Sequence, residues 1–229
     1  MQDNWRDLPQ FQLDFESPEF KPFEKVVGEV SIPIDYSGAE YEFTNYWFRN
    51  RNQATWSTFL LPRFGDGRQV DMIQIGCWQG LDSLFSYQHL LMNPHSHMTV
   101  IDPWLPTTKK SAEEMEENMR MAMWNLQEGV MNGKISVIRG LSQDVLPTMQ
   151  GEVDLVIVDG DHRASAVRQD AENALRLLKP GGWMVFDDVR QKKFKQEEVP
   201  AGLALFFQKH DKEVKLVFKH RFCDCYEKL

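Results

Sequence analysis

From residue 70 onward, short apolar runs alternate with segments whose apolar residues recur every three or four positions. That recurrence predicts amphipathic helices, the clearest of which lie in residues 80–92, 111–131 and 164–182. The apolar runs predict buried strands, namely VDMIQIGCW, MTVIDPW, KISVIRG, DLVIVDGD and WMVFDDV. Strands that alternate with helices indicate a doubly wound α/β fold, whose mostly parallel sheet is covered by helices on both faces.

The two ends of the chain depart from this alternation. Near the C-terminus, EVKLVFKHRFCDCYEKL predicts an antiparallel hairpin, which follows a helix over about residues 197–210. The first 65 residues are rich in aromatic residues and prolines, and they predict one helix, around residues 44–61. We therefore interpret residues 1–65 as a segment that packs on the α/β domain of residues 66–229 and covers its substrate site.

Composition narrows the range of partners. The formal net charge of −8 over 229 residues argues against a nucleic-acid partner held by bulk electrostatics. No apolar run approaches the ~20 residues of a membrane span, and the N-terminus lacks the pattern of a signal peptide. Three cysteines are too few for a disulfide scaffold. These observations predict a soluble cytoplasmic protein with neither a nucleic-acid nor a membrane partner.

Glycines and polar residues follow four of the predicted strands, at the edge where ligands bind in open α/β sheets. In chain order they are Gly76 and Gly80, then Asp102, then Asp159, Asp161 and His162, and finally Asp187 and Asp188. Carboxylates that converge at strand ends repel one another unless a cation neutralises them. Because oxygen ligands suit Mg²⁺ or another divalent ion with the same preference, the pattern predicts a metal site.

The spacing of the first two glycines separates two classes of cofactor. A dinucleotide-binding turn has the form G-x-G-x-x-G, which seats a pyrophosphate. Here Gly76 and Gly80 enclose Cys-Trp-Gln, and a tryptophan is unsuited to a tight phosphate turn. The spacing therefore favours a nucleoside cofactor without phosphates, S-adenosylmethionine, over a nicotinamide dinucleotide. Asp102 lies where an acid can bind ribose hydroxyls.

Longer motifs carry a resemblance to a known family. The most specific stretch is DGDHRASAVRQDAENALRLLKPGGWMVFDDV, and GLSQDVLP is similar to the adenine-binding stretch of catechol O-methyltransferase. Over roughly residues 70–190 the chain resembles class I S-adenosylmethionine-dependent methyltransferases, in the branch that includes macrocin-type O-methyltransferases. The resemblance implies a Rossmann-like fold and methyl transfer from S-adenosylmethionine.

The resemblance also implies roles for individual residues. The implied cofactor-binding residues are Gln74, Gly76, Gly80, Ser83, Asp102, Ser142, Gln143 and Asp159. The implied metal ligands are Asp159, Asp187 and Asp188. His162 falls where a general base is expected, and Asp161 is the competing candidate. Trp104, just past the second strand, either lines the cofactor pocket or packs in the core.

Two positions depart from the family pattern, both near the methionine end of the expected cofactor. This chain has Gln74 at the position before the first glycine where the family has an acid. It has Asp82, followed by Ser83, at the position after the second glycine where the family has its serine. The expected function is O-methylation of a small-molecule hydroxyl, assisted by a divalent ion. A metal-independent methyltransferase and a non-catalytic S-adenosylmethionine-binding or interaction protein remain as alternatives. A homo-oligomer is also considered, because related enzymes often pair.

Overall fold

The computed structural model describes residues 30–37, 40–190 and 198–229. The helices are α1 (Trp47–Arg51), α2 (Gln53–Thr55), α3 (Leu61–Phe64), α4 (Leu81–His89), α5 (Ala112–Asn125), α6 (Gln127–Met131), α7 (Ser142–Val145), α8 (Ala164–Leu177) and α9 (Glu198–His210). The strands are β1 (Asp71–Ile75), β2 (His97–Asp102), β3 (Ile135–Arg139), β4 (Val153–Val158), β5 (Leu178–Phe186), β6 (Val214–His220) and β7 (Cys223–Lys228). A π-helical turn, Trp56–Leu60, joins α2 to α3, and a 3-10 turn, Leu146–Thr148, follows α7.

The strands of the described ranges form one sheet in the order β3-β2-β1-β4-β5-β7-β6. The first five strands run parallel, and β7 pairs antiparallel with both β5 and β6. The predicted Rossmann-like, mostly parallel sheet with a C-terminal antiparallel hairpin is confirmed. Chain order reverses between β1 and β4, and this is the place where a doubly wound sheet opens a crevice for a ligand.

Alternate residues of the central strands face opposite sides of the sheet and divide the core into two layers. On β1, Met72 packs in the layer that holds α4 and the N-terminal helices, whereas Ile73 packs in the layer of α8 and α9. Leu155 and Val156 of β4 repeat this division. Both faces are covered, which explains why these strands are continuous apolar runs in the sequence. No helix in the described ranges has the length and apolar character needed to span a membrane.

The described part of the N-terminal segment shares its core with the α/β domain. Phe48 of α1 packs against Trp56 and against Phe85 of α4, with ring centroids 4.8 and 5.4 Å apart. The helix predicted around residues 44–61 is present as the stretch from α1 to α3. Its π-helical turn lies just before Pro62, which has no amide hydrogen to donate to the preceding turn. Residues 1–29 lie outside the described residues, so a covering role for residues 1–65 stays a prediction.

Asp170 on α8 is a fully buried acid next to the loops of the cavity edge. Desolvation raises the pKa of this carboxyl to about 7, and the Ser142 side chain opposes part of that rise. The folded protein therefore retains a proton on Asp170 that the unfolded chain releases near the usual value of 3.8. The contribution of the protonated Asp170 carboxyl to stability is therefore complete below that pH. The free energy of unfolding then falls as the pH rises from about 4 to about 7.

We expect Asp170→Asn to remove this pH dependence, because the amide stays neutral and has the shape of the protonated carboxyl. Near pH 8 the variant should be more stable than the wild type by on the order of 3 kcal/mol, and near pH 4 the two should be equal. Urea unfolding at both pH values measures the difference, with Asp211→Asn at an exposed position as the control. Wild-type stability of the variant near pH 8 would contradict the burial of a proton on Asp170.

Candidate active site

The carboxyl ends of β1, β2, β4 and β5 open into a cavity of about 1620 Å³. Pockets for one small ligand commonly measure ~300–1,000 Å³, so this cavity has room for two ligands side by side. Its walls are the loops after those four strands and after β3, helix α1, the first turn of α4 and the hairpin turn at Phe222. Segments from both ends of the chain therefore meet at the carboxyl edge of the sheet.

Most of the residues predicted from the sequence face this cavity. Those on its wall are Gly76, Asp102, Ser142, Gln143, Asp159, Asp161, His162, Asp187 and Asp188. Four predicted cofactor-binding residues lie behind the wall, namely Gln74, Gly80, Ser83 and Trp104. The roles assigned to all of them stay predictions, and their positions separate residues that can touch a ligand from residues that support the wall.

Gly76 lets the loop after β1 pass close to the end of β4. Its backbone φ is +85°, and a Cβ at this position would lie 1.9 Å from the carbonyl oxygen of Asp159. The amide of Asp159 in turn donates to the carbonyl oxygen of Ile75 at 2.9 Å. Glycine is required here because both the left-handed backbone and the contact between strand ends exclude a side chain.

Asp102, at the end of β2, holds the loop after β1 in place. One carboxylate oxygen accepts hydrogen bonds from the amides of Cys77 and Trp78 at 2.8 and 3.1 Å, and the other accepts from the Trp104 amide at 2.8 Å. Burial raises the pKa of Asp102, and the three amides oppose that rise. Asp102, the residue predicted to bind ribose, therefore also supports this loop. Its carboxylate oxygens keep further acceptor positions for a ligand in the cavity.

The two tryptophans of these loops have different surroundings. Trp104 is 1% exposed, and its indole nitrogen donates to the carbonyl oxygen of Trp78 at 2.8 Å. Trp78 lines the cavity, and its ring centroid lies 5.4 Å from that of Trp47 on α1. Both tryptophans have positive φ angles, which the hydrogen bonds to Asp102 hold in place. Of the two interpretations of Trp104, its position therefore matches packing in the core.

The loop after β3 contributes two predicted cofactor-binding residues to the cavity wall. Ser142 and Gln143 begin α7, and both line the wall. The side-chain nitrogen of Gln143 is buried and has no hydrogen-bond partner among the described residues. A buried amide without a partner costs on the order of 1–3 kcal/mol, so this donor is suited to an acceptor on a bound ligand.

A second group of side chains on the cavity wall consists of His162, Asp159 and Asp188. The Nε2 atom of His162 lies 3.6 Å from Oδ1 of Asp159 and 3.6 Å from Oδ2 of Asp188. Desolvation lowers the pKa of His162, but these carboxylates and Asp187 outweigh it and raise the pKa to about 9. Burial and the neighbouring Asp187 raise the pKa of Asp159. The imidazole is therefore a cation between two acids near neutral pH.

Asp161, the competing candidate for the base, is engaged with its neighbour Arg163. Its oxygens accept from the Arg163 amide at 3.0 Å, from Nε at 2.7 Å and from the terminal guanidinium nitrogen. Desolvation raises the pKa of Asp161, but the arginine outweighs it and leaves the pKa below the usual value. A carboxylate with a lowered pKa and a bound guanidinium is a weak proton acceptor.

Two residues of the N-terminal segment contact the acids after β5. Arg51 pairs with Oδ1 of Asp188, and Asn52 donates to Oδ2 of Asp187 at 2.6 Å. The guanidinium of Arg51 lies over the ring of Phe222, 4.4 Å from its centroid. The sequence prediction missed both residues. The sequence signal for them was the stretch FTNYWFRNRNQATW, in which Arg51 and Asn52 stand among aromatic residues. The stretch itself does not indicate which acids the two side chains contact.

The donor atoms near His162 are suited to a divalent ion. One ligand atom from each of Asp159, His162 and Asp188 lies within 4.8 Å of the others. The predicted metal ligands were Asp159, Asp187 and Asp188, so His162 takes the place of Asp187 in this group. The carboxylate oxygens of Asp187 accept hydrogen bonds from Asn52 and from the Asp188 amide. A nitrogen among oxygen ligands widens the choice of ion beyond Mg²⁺. Arg51 and the imidazolium also neutralise this acidic group, so the folded chain does not depend on a metal for charge balance.

A doubly wound sheet with its cavity where chain order reverses defines a class of α/β protein that binds its ligand beyond the carboxyl ends of the strands. A family model described as a methyltransferase domain matches residues 73–189. Because that match covers slightly more than half of the chain, this protein belongs to that methyltransferase family.

Solved structures with a similar fold include several methyltransferases. TomG, an O-methyltransferase of tomaymycin synthesis from Streptomyces achromogenes in complex with S-adenosylmethionine, is 18% identical with a TM-score of 0.58, over 76% of this chain and 80% of that one. An O-methyltransferase from Bacillus cereus in complex with S-adenosylhomocysteine is 17% identical with a TM-score of 0.55, over 76% and 81%. A Clostridium thermocellum protein described as an rRNA methylase is 14% identical with a TM-score of 0.57, over 76% and 95%.

At these identities the likeness is one of fold. No curated protein sequence matches the chain.

Proposed function

We propose that this protein transfers the methyl group of S-adenosylmethionine to a hydroxyl group of a small molecule. The observation that carries the proposal is a single large cavity whose lining is made of two chemically different parts. Gly76, Asp102 and the Ser142–Gln143 pair form one part, with groups suited to a nucleoside. His162, between Asp159 and Asp188, forms the other and can manage a proton and charge at an acceptor hydroxyl.

The cofactor assignment is supported by the chemistry of the first part. Asp102 offers acceptors for ribose hydroxyls, and the unpartnered Gln143 nitrogen offers a donor for an adenine ring nitrogen. Gly76 allows close approach to the backbone without the phosphate-binding turn of a dinucleotide site. Two of the similar structures are complexes with S-adenosylmethionine or S-adenosylhomocysteine, which is consistent with the same ligand here.

In the proposed reaction His162 receives the proton of the acceptor hydroxyl as the oxygen attacks the methyl group. Asp159 and Asp188 flank Nε2 and stabilise the imidazolium that results. A divalent ion bound by Asp159, Asp187 and Asp188 would lower the pKa of the hydroxyl and leave the His162 ring able to accept the proton. Arg51 holds Asp188 in position from the N-terminal side.

The proposal of a small-molecule acceptor depends on the shape and charge of the cavity. Residues of the N-terminal segment, including Asn45, Trp47 and Arg51, line the same cavity as His162. Six aspartates line the cavity, and the whole chain carries a net charge of −8, which disfavours the phosphates of RNA. A location in the cytoplasm and assembly as a homo-oligomer stay predictions.

Calorimetric titration tests the cofactor proposal directly. We expect S-adenosylhomocysteine and S-adenosylmethionine to bind with micromolar or tighter dissociation constants, and NAD to give no heat of binding. Radiolabelled S-adenosylmethionine with a panel of phenols, catechols and sugars should then identify a methylated product. Absence of binding by both S-adenosyl compounds would refute the proposal.

The same assay separates the remaining alternatives. Metal assistance predicts loss of methyl transfer in a chelator and recovery on addition of Mg²⁺ or Mn²⁺, whereas a metal-independent enzyme keeps its full rate. Binding of S-adenosylhomocysteine without transfer to any acceptor in the panel would favour the non-catalytic alternative.

A further inference from the structure

The two departures from the family pattern, Gln74 and Asp82, are in direct contact. The side-chain nitrogen of Gln74 donates to Oδ2 of Asp82 at 2.5 Å and is also 3.1 Å from the carbonyl oxygen of Gly76. The side-chain oxygen of Gln74 accepts from the Ser83 hydroxyl at 2.9 Å. The amide of Gln74 is 0% exposed and fully engaged within the protein, so its role is to position Asp82.

Asp82 itself faces the cavity from the first turn of α4. Besides the Gln74 bond, its Oδ1 accepts from the Ser83 amide at 2.8 Å. A carboxylate has about four acceptor positions, so roughly half of its capacity remains. Burial raises the pKa of Asp82 to about 6, Gln74 and the Ser83 amide oppose the rise, and the Asp187 charge adds to it. Among the described residues, none of the largest contributions to this balance comes from a basic side chain.

The other acids of the cavity provide a comparison for Asp82. They are Asp102, Asp159, Asp161, Asp187 and Asp188. Their partners are, in turn, the amides of the loops after β1 and β2, His162, Arg163, Asn52 and Arg51. Asp159, Asp161 and Asp188 therefore each have a cationic partner, whereas Asp82 has two neutral donors, the Gln74 side chain of β1 and the Ser83 amide of its own helix.

We propose that Asp82 binds the ammonium group at the amino-acid end of the cofactor, and that Gln74 positions it for this contact. The inference rests on the proposed function, because S-adenosylmethionine carries such an ammonium group. The family pattern has its acid on β1, at the strand position that Gln74 occupies here. In this chain the acid is Asp82, at a helix position on α4, and a hydrogen bond of 2.5 Å joins the two side chains. The negative charge thus reaches the same region of the cavity from the neighbouring element.

The test compares three ligands by calorimetry on the full chain: S-adenosylhomocysteine, its deaminated analogue without the α-amino group, and 5′-methylthioadenosine, which lacks the whole amino-acid end. The wild type should bind S-adenosylhomocysteine at least ~10-fold more tightly than the deaminated analogue, since a buried charged pair is lost. Asp82→Asn should weaken the binding of S-adenosylhomocysteine by the same factor. The affinities of the variant for the other two ligands should stay within about twofold of the wild-type values.

The decisive quantity is the coupling between the side chain and the ligand group. In Asp82→Asn, S-adenosylhomocysteine and its deaminated analogue should bind equally, because the partner of the ammonium is gone. Gln74→Glu in the Asp82→Ser background should restore the preference for the ammonium, since the acid then returns to the strand position. Exposed Asp144→Asn serves as the control, with thermal melting of every variant.

Several results would overturn the inference. One is an Asp82→Asn protein that still prefers S-adenosylhomocysteine by the wild-type factor; another is a variant that loses all three ligands equally. The comparison of ligands on the wild type alone also decides the matter if the variants do not fold, because equal affinity for the deaminated analogue excludes an ammonium contact. Failure of the wild type to bind any of the three refutes the proposed function itself, which is a distinct outcome.

Discussion

Replacement of Gly76 by alanine is expected to destabilise the protein by more than ~3 kcal/mol and to abolish S-adenosylhomocysteine binding. The left-handed φ of +85° costs part of this free energy. The larger part comes from the new Cβ, which would lie 1.9 Å from a backbone oxygen of Asp159. The strand ends would have to separate, and with them Asp102 and Asp159. Urea unfolding and calorimetry measure the two effects.

Gly67 offers a matched control for this prediction. It has the same φ of +85°, but a Cβ there has no atom within 4 Å. Gly67→Ala should therefore cost only the backbone term, roughly 1 kcal/mol, and leave ligand affinity unchanged. If Gly76→Ala were no less stable than Gly67→Ala, the close contact between β1 and β4 would not be essential to the site.

Loss of the His162 imidazole is expected to slow methyl transfer by ~10²–10⁴-fold, the usual contribution of a positioned general base. The measurement is the turnover of His162→Ala with an acceptor found in the labelled-methyl screen. S-adenosylhomocysteine affinity should change less than about threefold, because His162 lies in the acceptor part of the cavity. Asp161→Asn should slow the reaction far less, since Arg163 already occupies that carboxylate. The reverse ranking would assign the base to Asp161.

The pH dependence of the rate follows from the same geometry. The carboxylates around His162 raise its pKa to about 9, so near neutral pH most of the protein carries the imidazolium. Only the deprotonated ring accepts a proton, and the metal-free rate should therefore rise with pH through about 9. In His162→Ala this rise should be absent. A flat profile for the wild type over the same range would argue against His162 as the base.

Much of the fold was predictable because the relevant signals are local. β-branched apolar runs identify strands buried on both faces, and helical spacing between them identifies the crossovers. Parallel strands joined by such crossovers have their carboxyl ends at one edge, so the convergence of Asp102, Asp159 and Asp187 followed without any contact being known. The helix predicted around residues 44–61 was harder to describe, because Pro62 introduces a π-helical turn that periodicity does not reveal.

The arrangement within the site was less predictable, because it depends on contacts between distant residues. Arg51 and Asp188 are 137 positions apart in the chain, and nothing in either local sequence names the other as its partner. Trp104 follows a strand as Trp78 does, yet one is buried and the other lines the cavity. Both outcomes depend on how the N-terminal helices pack over the edge of the sheet.

The sequence by itself determined the doubly wound fold, the edge of the sheet that carries the site, and the acids and glycines found there. Periodicity and strand-end position express these features, and both act over short stretches of chain. Only the tertiary structure decided which side chain most of these acids meet. It placed Arg51 on Asp188, Asn52 on Asp187 and Gln74 on Asp82. Electrostatic pairing depends on distances of a few ångströms between side chains, and those distances exist only once the elements have packed.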